Sequence, residues 1–499
     1  MSAQSRLLES FFNPRSVAVV GATKKIDKAG HVIFKNFVEN KRRGVFKGEI
    51  FAINPNEDSI LGFQCYPSIV NVPEDLDLIV VVVPARVVPQ IMKDAVTKKV
   101  KSAVIVSSGF GEIGNHELEN EVLNIAKSGE IKVLGPNCLG IYDSRTGVDM
   151  LFLPETKVLT TGDEVIATPR PIPGDIAIVT QSGAFGVSSL DYLTGRQIGV
   201  SKFVSFGNKI DVTETEVLDY LAHDRETKVI LLYVEDIRHG REFLKVAQEV
   251  TRKKPIVVLK TGRTTAGARA AASHTGALAG SDRIYDAVFE QTGVIRARDM
   301  EEFFDMAKAL SMQPPATAAN VGIITDAGGP GIIAVDECEL RGLNVKRFSD
   351  VTIRKFEKLK EEGKIPKFAT NFNPVDVTGS ATSEMLELAT RILFEDPEIN
   401  GVILLGLHHV PALQEDYIDK VAKVASKCSK PIVACDIGET EMALRTRFRF
   451  DKLEIPAYST PEDAARAMSA LVRYGAFLQK NGCLEQYLET FLKAKCEDR

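Results

Sequence analysis

The chain has 499 residues, 44% of them hydrophobic and 26% charged, which is enough apolar material for several packed domains. A formal net charge of -5, with no interleaved basic and aromatic stretch, argues against nucleic acid as a partner. Seven cysteines without a C-x-x-C pair fit a reduced, cytoplasmic chain, and neither a cleavable leader nor a membrane-spanning segment is expected.

Short Val/Ile-rich runs alternate with longer amphipathic stretches, a pattern of parallel strands joined by crossover helices, so the fold class is α/β. The first strands are expected at Ser16–Val20, Glu49–Ile53, Leu78–Val83, Ala103–Ser107 and Lys132–Leu134. The turn Gly21-Ala22-Thr23 follows the first of them, at the carboxyl end where open α/β sheets bind ligands. It lacks G-x-G-x-x-G, and the second strand ends in Asn54-Pro55 instead of the acid that a nicotinamide ribose needs. An NAD-dependent oxidoreductase is therefore disfavoured. Lys24, Lys25 and Lys28 can meet phosphates or simply be solvated.

A proline-rich stretch, Met150–Pro173, reads as a linker or hairpin, and Ser311–Asn320 reads as a tether between compact units. The expected divisions are 1–145, 146–312, 318–475 and a helical tail, 476–499. The second and third units repeat one another. Ile176–Asp191 matches Val321–Asp336 without a gap, and further echoes join Asn208–Thr213 to Asn373–Thr378, Val229–Leu232 to Val402–Leu405, and Lys254–Val257 to Lys430–Val433. Two copies of one flavodoxin-like fold are inferred.

In both copies a strand runs into Thr-x-x-Gly-x-x-Gly and a helix, which exposes backbone N–H groups and the positive end of a helix dipole. The candidate anion-binding residues are Gln181, Ser182 and Gly183 in one copy and Ala327, Gly328 and Gly329 in the other. The alternative is that the glycines only let strand and helix pack closely. His274 stands among small residues in Ser273-His-Thr-Gly-Ala-Leu-Ala-Gly280, read as a loop that presents a nucleophilic imidazole or as an ordinary surface turn. Glu235 follows an apolar strand and can orient such an imidazole, with Asp236 as its immediate rival. His408-His409 has no Cys, Asp or Glu at ligand spacing nearby in the sequence, so no metal site is assigned.

These residues resemble the α subunit of the ADP-forming acetyl-CoA synthetases, in the NDP-forming acyl-CoA synthetase superfamily that includes succinyl-CoA synthetase. The likeness runs through Ser16–Thr23, Asn54-Pro55, Val83-Pro84, Ser107-Ser-Gly-Phe-Gly-Glu112, Gly135-Pro-Asn-Cys-Leu-Gly140 and Val179–Gly183, and is most specific at Ser273–Gly280. It implies a Rossmann-like CoA-binding domain followed by two flavodoxin-like, succinyl-CoA synthetase-like domains. The implied CoA contacts are Gly21, Ala22, Thr23, Lys24, Lys28, Asn54, Pro55, Val83, Pro84, Ser107, Ser108, Gly109 and Asn137. His274 would become phosphohistidine, Glu235 would steady it, and the two glycine turns would hold the phosphate. The implied reaction converts acyl-CoA, ADP and phosphate reversibly to acid, ATP and CoA through an acyl-phosphate.

The family places ADP or ATP, with Mg2+, in an ATP-grasp domain, and neither a Walker A loop nor residues for such a module are found here. The resemblance thus implies a partner β subunit, in an α2β2 assembly. The rival reading is a non-catalytic CoA- or acyl-CoA-binding regulatory protein of the same fold, against which the His274 segment, Glu235 and both glycine turns argue.

Overall fold

In the computed structural model, which describes residues 7–275 and 281–497, the five runs read as the opening strands are all strands. β1 (Ser16–Val20) is buried along its whole length, as a strand covered on both faces must be. It lies between β2 (Glu49–Ile53) and β5 (Leu78–Val81). With β3 (Ser59–Ile60), β4 (Phe63–Tyr66), β6 (Ser102–Ile105) and β7 (Lys132–Leu134), they form a sheet in the order β3-β4-β2-β1-β5-β6-β7. All pairs are parallel except β3 with β4. The order reverses at β1, and the crevice beyond its carboxyl end is the switch point where such sheets take ligands.

The second sheet has the order β16-β15-β14-β12-β13-β8-β9. Its parallel part is β12 (Pro173–Thr180), β13 (Val200–Ser205), β14 (Val229–Val234), β15 (Ile256–Lys260) and β16 (Ile295–Arg296). β8 (Gly140–Asp143) and β9 (Val148–Asp149) add an antiparallel edge. Residues 140–145, assigned above to the first unit, thus already serve the second sheet through β8. The proline-rich stretch contains a hairpin, β10 (Thr156–Val158) with β11 (Glu164–Ile166). Both sheets belong to one compact unit, Met1–Arg296, and share a continuous apolar core.

A separate compact unit, Ala297–Arg499, carries a five-stranded parallel sheet in the order β18-β17-β19-β20-β21. Its strands are β17 (Val321–Thr325), β18 (Val375–Asp376), β19 (Gly401–Leu405), β20 (Ile432–Cys435) and β21 (Ala457–Tyr458). The helices Pro461–Lys480 and Leu484–Glu497 follow. Among the described residues no helix is long and apolar enough to cross a membrane.

The two flavodoxin-like sheets share their topology: β12 lies between β13 and β14 as β17 lies between β18 and β19, with β15 and β16, or β20 and β21, following outward. Sheet register tests the four sequence echoes one by one. Those of β12 with β17 and of β15 with β20 coincide, whereas that of β14 with β19 is displaced by one residue, because Thr180 pairs with Tyr233 and Thr325 with Leu405. The fourth echo is not equivalent in space: Asn373–Thr378 includes β18, but Asn208–Thr213 follows β13. The two strings also serve different local ends, since Thr213 caps the helix Glu214–Leu221 whereas the cap of the helix Ser383–Glu395 is Thr382, four residues beyond Thr378.

Candidate functional site

The turn after β1 depends on glycine. Gly21 has φ +97°, and a Cβ on it would lie 2.3 Å from the Val82 carbonyl oxygen. A Cβ on Gly30 would meet the Gly21 oxygen at 2.1 Å, so the helix Ala29–Arg42 closes directly on the turn. Asn54 locks the same turn from β2: its Nδ2 donates to the Ala22 oxygen at 2.7 Å, and its Oδ1 accepts from Asn56 N at 2.9 Å. His31 adds a contact from Nδ1 to the Thr23 oxygen at 2.8 Å. Asn54, read above as the sign of a site that is not for NAD, is thus a backbone clasp. Pro55 is exposed beside it. Lys24 pairs with Glu57 at 3.0 Å and Lys28 with Asp27 at 2.9 Å, both at the solvent surface where such pairs exchange readily with another anion.

A cleft of about 820 Å³ opens between the ends of the first two sheets. Val83, Pro84, Ser107, Ser108 and Asn137 line one side, and Gln181, Ser182 and Gly183 line the other. Ser107 ties the wall together, its Oγ accepting from Val83 N at 3.2 Å and donating to the Val83 oxygen. Leu139, Phe152 and Val187 give the cleft an apolar section that the sequence reading did not single out. Gly109, at φ +110°, lies outside this lining; its N–H donates to Glu112 in the adjoining turn.

The glycine turn at the head of the helix Gly183–Gly195 has two distinct jobs. A Cβ on Gly186 would strike the Phe203 ring at 2.7 Å, so that glycine serves packing. Ser182 caps the helix by accepting from Phe185 N at 3.3 Å, and Thr180 Oγ1 both donates to the Ser182 oxygen and accepts from its N–H. The first N–H groups of the helix have no intrahelical acceptor and lie at the cleft wall formed by Ser182, Gly183 and Ala184. The second copy repeats the device: Thr325 Oγ1 donates to the Ala327 oxygen at 2.7 Å and accepts from Ala327 N at 3.0 Å. There Gly331 packs on Thr325, while a Cβ on Gly329 would meet nothing, so packing does not require that glycine.

Gln181, grouped with the phosphate turn from the sequence, is occupied otherwise. Its Oε1 accepts from Glu235 N at 2.9 Å and Asp236 N at 3.2 Å, and its Nε2 donates to Asp236 Oδ1 at 2.6 Å. Lys209 completes the fixation of Asp236, donating to its backbone oxygen at 2.7 Å and standing 3.2 Å from its Oδ1. Burial opposes the Asp236 charge, but the Lys209 ammonium and the Gln181 amide outweigh it and hold the carboxyl below its ordinary range. At the end of β14 Asp236 is thus bound on several sides, while Glu235, which interacts with the Tyr233 side chain, lines a small pocket of about 50 Å³ with Glu112, Asn137, Asn208 and Arg238. Asn137 and Gln181 belong to the walls of both this pocket and the large cleft.

Asn208 bridges the sheets at this pocket, its Nδ2 donating to Glu112 Oε2 at 2.7 Å and Glu119 Oε2 at 2.9 Å. Neither Asn208 nor Lys209 was recognised as more than a repeat echo. The available signal was a polar pair after the apolar run Phe203–Phe206, at the carboxyl end of a strand.

His274 does not belong to a loop in its backbone: Thr265–Thr275 is an α-helix. The alanine-rich sequence supplies strong helix formers, and Thr264 Oγ1 accepts from Gly267 N at 3.0 Å at its start. That helix approaches the turn Gly111–Ile113, whose Glu112 lines the Glu235 pocket. The His274 side chain and residues 276–280 lie outside the described residues.

In the second compact unit His408 Nδ1 is 2.8 Å from Asp436 Oδ1, and Asp326 Oδ2 accepts from Leu407 N at 2.8 Å. Burial pushes the Asp326 carboxyl up to about 7. No group of three or more His, Cys, Asp or Glu among the described residues is arranged to hold a metal.

Three family models match the chain: a CoA binding domain over 15–144, a succinyl-CoA ligase-like flavodoxin domain over 173–310, and a Ligase-CoA domain over 321–476. The acetate–CoA ligase (ADP-forming) I subunit alpha of Pyrococcus furiosus is 37% identical over 486 residues, covering 95% of this chain and 99% of the relative. The acetate–CoA ligase (ADP-forming) I of Archaeoglobus fulgidus is 36% identical over 498 residues, and there the chain spans 98% of itself but 67% of the relative. Among solved structures, the dinucleotide-forming acetyl-coenzyme A synthetase 1 of Ca. Korarchaeum cryptofilum, in complex with phosphate and ADP, superposes with a TM-score of 0.85 at 35% identity, covering 95% of this chain and 98% of that one.

Proposed function

Because the chain belongs to the ADP-forming acetate–CoA ligase family, we propose that it is the CoA-binding, phosphoryl-carrying subunit of such a ligase, with acetate or another small carboxylic acid as substrate. The observation that carries this reading is the cleft in which the Val83-Pro84, Ser107-Ser108 and Asn137 wall faces the capped helix at Ser182-Gly183, with Glu235 in the pocket that shares its walls.

In this reading residues 1–145 hold CoA, 146–312 carry the phosphohistidine, and 318–475 supply the second glycine turn. Phosphate attacks the acyl-CoA thioester, the C–S bond breaks, and acyl-phosphate and CoA result. His274 then takes the phosphoryl group, releasing the acid, and passes it to ADP to make ATP. Splitting the transfer through a covalent carrier replaces one difficult step by two easier ones. The N–H groups at Gly183 and Ala184 offer the phosphate oxygens a preorganised anion site, with those at Gly328 and Gly329 as its counterpart. Glu235 accepts the N–H of the His274 ring and balances the charge that phosphorylation confers.

The nucleotide, with Mg2+, belongs in this reading to an ATP-grasp β subunit, in an α2β2 assembly in the cytoplasm. The Pyrococcus relative bears the name subunit alpha and matches over 99% of its length, whereas the Archaeoglobus relative extends well beyond the match. The test is to incubate this chain and an ATP-grasp partner with γ-labelled ATP. Acid-labile label on His274 supports the reading, and label on another residue, or none, removes it.

A further inference from the structure

Lys209 is a lysine whose side chain has 0% of its surface exposed. Its three N–H donors match three acceptors: Glu214 Oε2 at 3.1 Å, the Asp236 backbone oxygen at 2.7 Å and Asp236 Oδ1 at 3.2 Å. With its donors engaged and no open surface, it does not touch a ligand. Its backbone is also pinned at φ +46°, with its N–H donating to the Phe206 oxygen at 3.0 Å.

Such a group is costly to bury, and apolar residues of similar volume often make a more stable core than a buried ion pair. The duplicated fold shows that the architecture itself does not need it. By sheet register, Leu407 stands where Glu235 does and His408 where Asp236 does. Asp326 does there what Gln181 does here, accepting the N–H of Leu407 as Gln181 accepts that of Glu235. The backbone clasp is thus common to both copies. The loop after β18, Val377-Thr-Gly-Ser-Ala-Thr382, holds no basic residue. Lysine accompanies only the copy whose strand ends in the acid pair.

We propose that Lys209 is a positioning residue of the phosphohistidine site: by fixing Asp236 from below, together with Gln181, it sets the end of β14 so that Glu235 faces the small pocket. This rests on the role given to Glu235 above. Asp236 is also faced by Arg238 at 3.7 Å and, electrostatically, by Glu214 beside Lys209, Lys260 on β15 and Tyr285 on the helix Asp282–Thr292. Lys209 is nevertheless the partner that does most to hold the carboxylate ionised. Without it, Asp236 takes up a proton at higher pH, and the neutral carboxyl accepts more weakly from Gln181 Nε2 than the carboxylate does.

The experiment measures single-turnover phosphohistidine formation across pH 5–9 in the complete enzyme, with CoA affinity measured alongside, for Lys209→Met, Lys209→Arg, Glu235→Gln and the Lys209→Met/Glu235→Gln pair. Lys209→Met is expected to slow formation about 10- to 100-fold, the range for residues that orient a reacting group, with CoA affinity unchanged and the acid limb moved to higher pH. Lys209→Arg restores part of the rate, and the double variant is no slower than Glu235→Gln alone. An unmoved acid limb, or a full additional loss in the double variant, overturns the proposal while leaving Glu235 in place. Wild-type rate in Glu235→Gln removes the reading of Glu235, and the proposal with it. If Lys209→Met fails to fold, as judged by circular dichroism, Asp236→Asn replaces it and must show the same coupling to Glu235→Gln.

Discussion

Gln181 grips Asp236 at both ends of one amide, donating from Nε2 to the side chain at 2.6 Å and accepting the backbone N–H on Oε1 at 3.2 Å. A side chain at the end of β12 thereby fixes the end of β14, and the helix that begins two residues later shares that anchor. Gln181→Ala removes both contacts and leaves buried polar groups unpaired, a loss of about 1–3 kcal/mol. The expected outcome is a lower melting temperature together with slowed phosphohistidine formation. An unchanged rate in a destabilised variant would confine Gln181 to folding.

The two acids should separate by mutation. Glu235→Gln fits the same space but cannot balance a charged ring, and a loss of roughly 10²-fold in phosphohistidine formation is expected with little change in stability. Asp236→Asn leaves Lys209 without one of its charged partners, so its signature is a lowered melting temperature accompanied by a smaller rate loss. Rapid-quench assays paired with thermal melts distinguish the two, and a reversed pattern would make Asp236 the acting acid.

Asp326 predicts a pH effect in the second compact unit. Its carboxyl is raised to about 7 by burial, against an ordinary value of 3.8. The folded state therefore binds a proton that the unfolded state has released, and stability falls as pH rises from about 4 toward 7, then levels. Asp326→Asn keeps an acceptor for Leu407 N and carries no charge. It should gain about 2–4 kcal/mol relative to the unsubstituted chain at pH 8.5 and little at pH 4, the full shift being worth ~1.4 kcal/mol per pKa unit. Denaturant titrations at the two pH values check the sign; equal stabilities at both would show that Asp326 titrates normally.

The parts of the site that follow from one strand and its turn were legible in the sequence. Gly21 and Ser182-Gly183 stand at strand ends where periodicity alone locates them, and Glu235 was identifiable as the polar residue closing an apolar run. What escaped was long-range pairing. Gln181 reaches a residue 55 positions away, and Asn208 reaches Glu112 across 96; neither separation leaves a local mark. The Ala-rich segment before His274 was misread for a different reason, since small residues suit both a loop and a helix, and helix propensity with an N-terminal threonine decided it.

Five of the proposed CoA contacts, Val83, Pro84, Ser107, Ser108 and Asn137, line the cleft of the first compact unit, and in the proposed reading phosphoryl exchange with nucleotide lies with a partner. The isolated chain is therefore expected to bind CoA, as isothermal titration calorimetry would register, and to show no ATP-dependent acyl-CoA synthesis until an ATP-grasp subunit is added. Ser108→Trp, placed in the cleft wall, should weaken CoA binding at least tenfold while leaving labelling of His274 from ATP intact in the mixed enzyme, because the two ligands occupy different places. His274→Ala should do the reverse, keeping CoA affinity and abolishing the label. Synthesis by the chain alone, freed of any partner, would mean that a nucleotide site exists within one of its own sheets, and a Ser108→Trp variant with unaltered CoA affinity would move the CoA site out of the cleft.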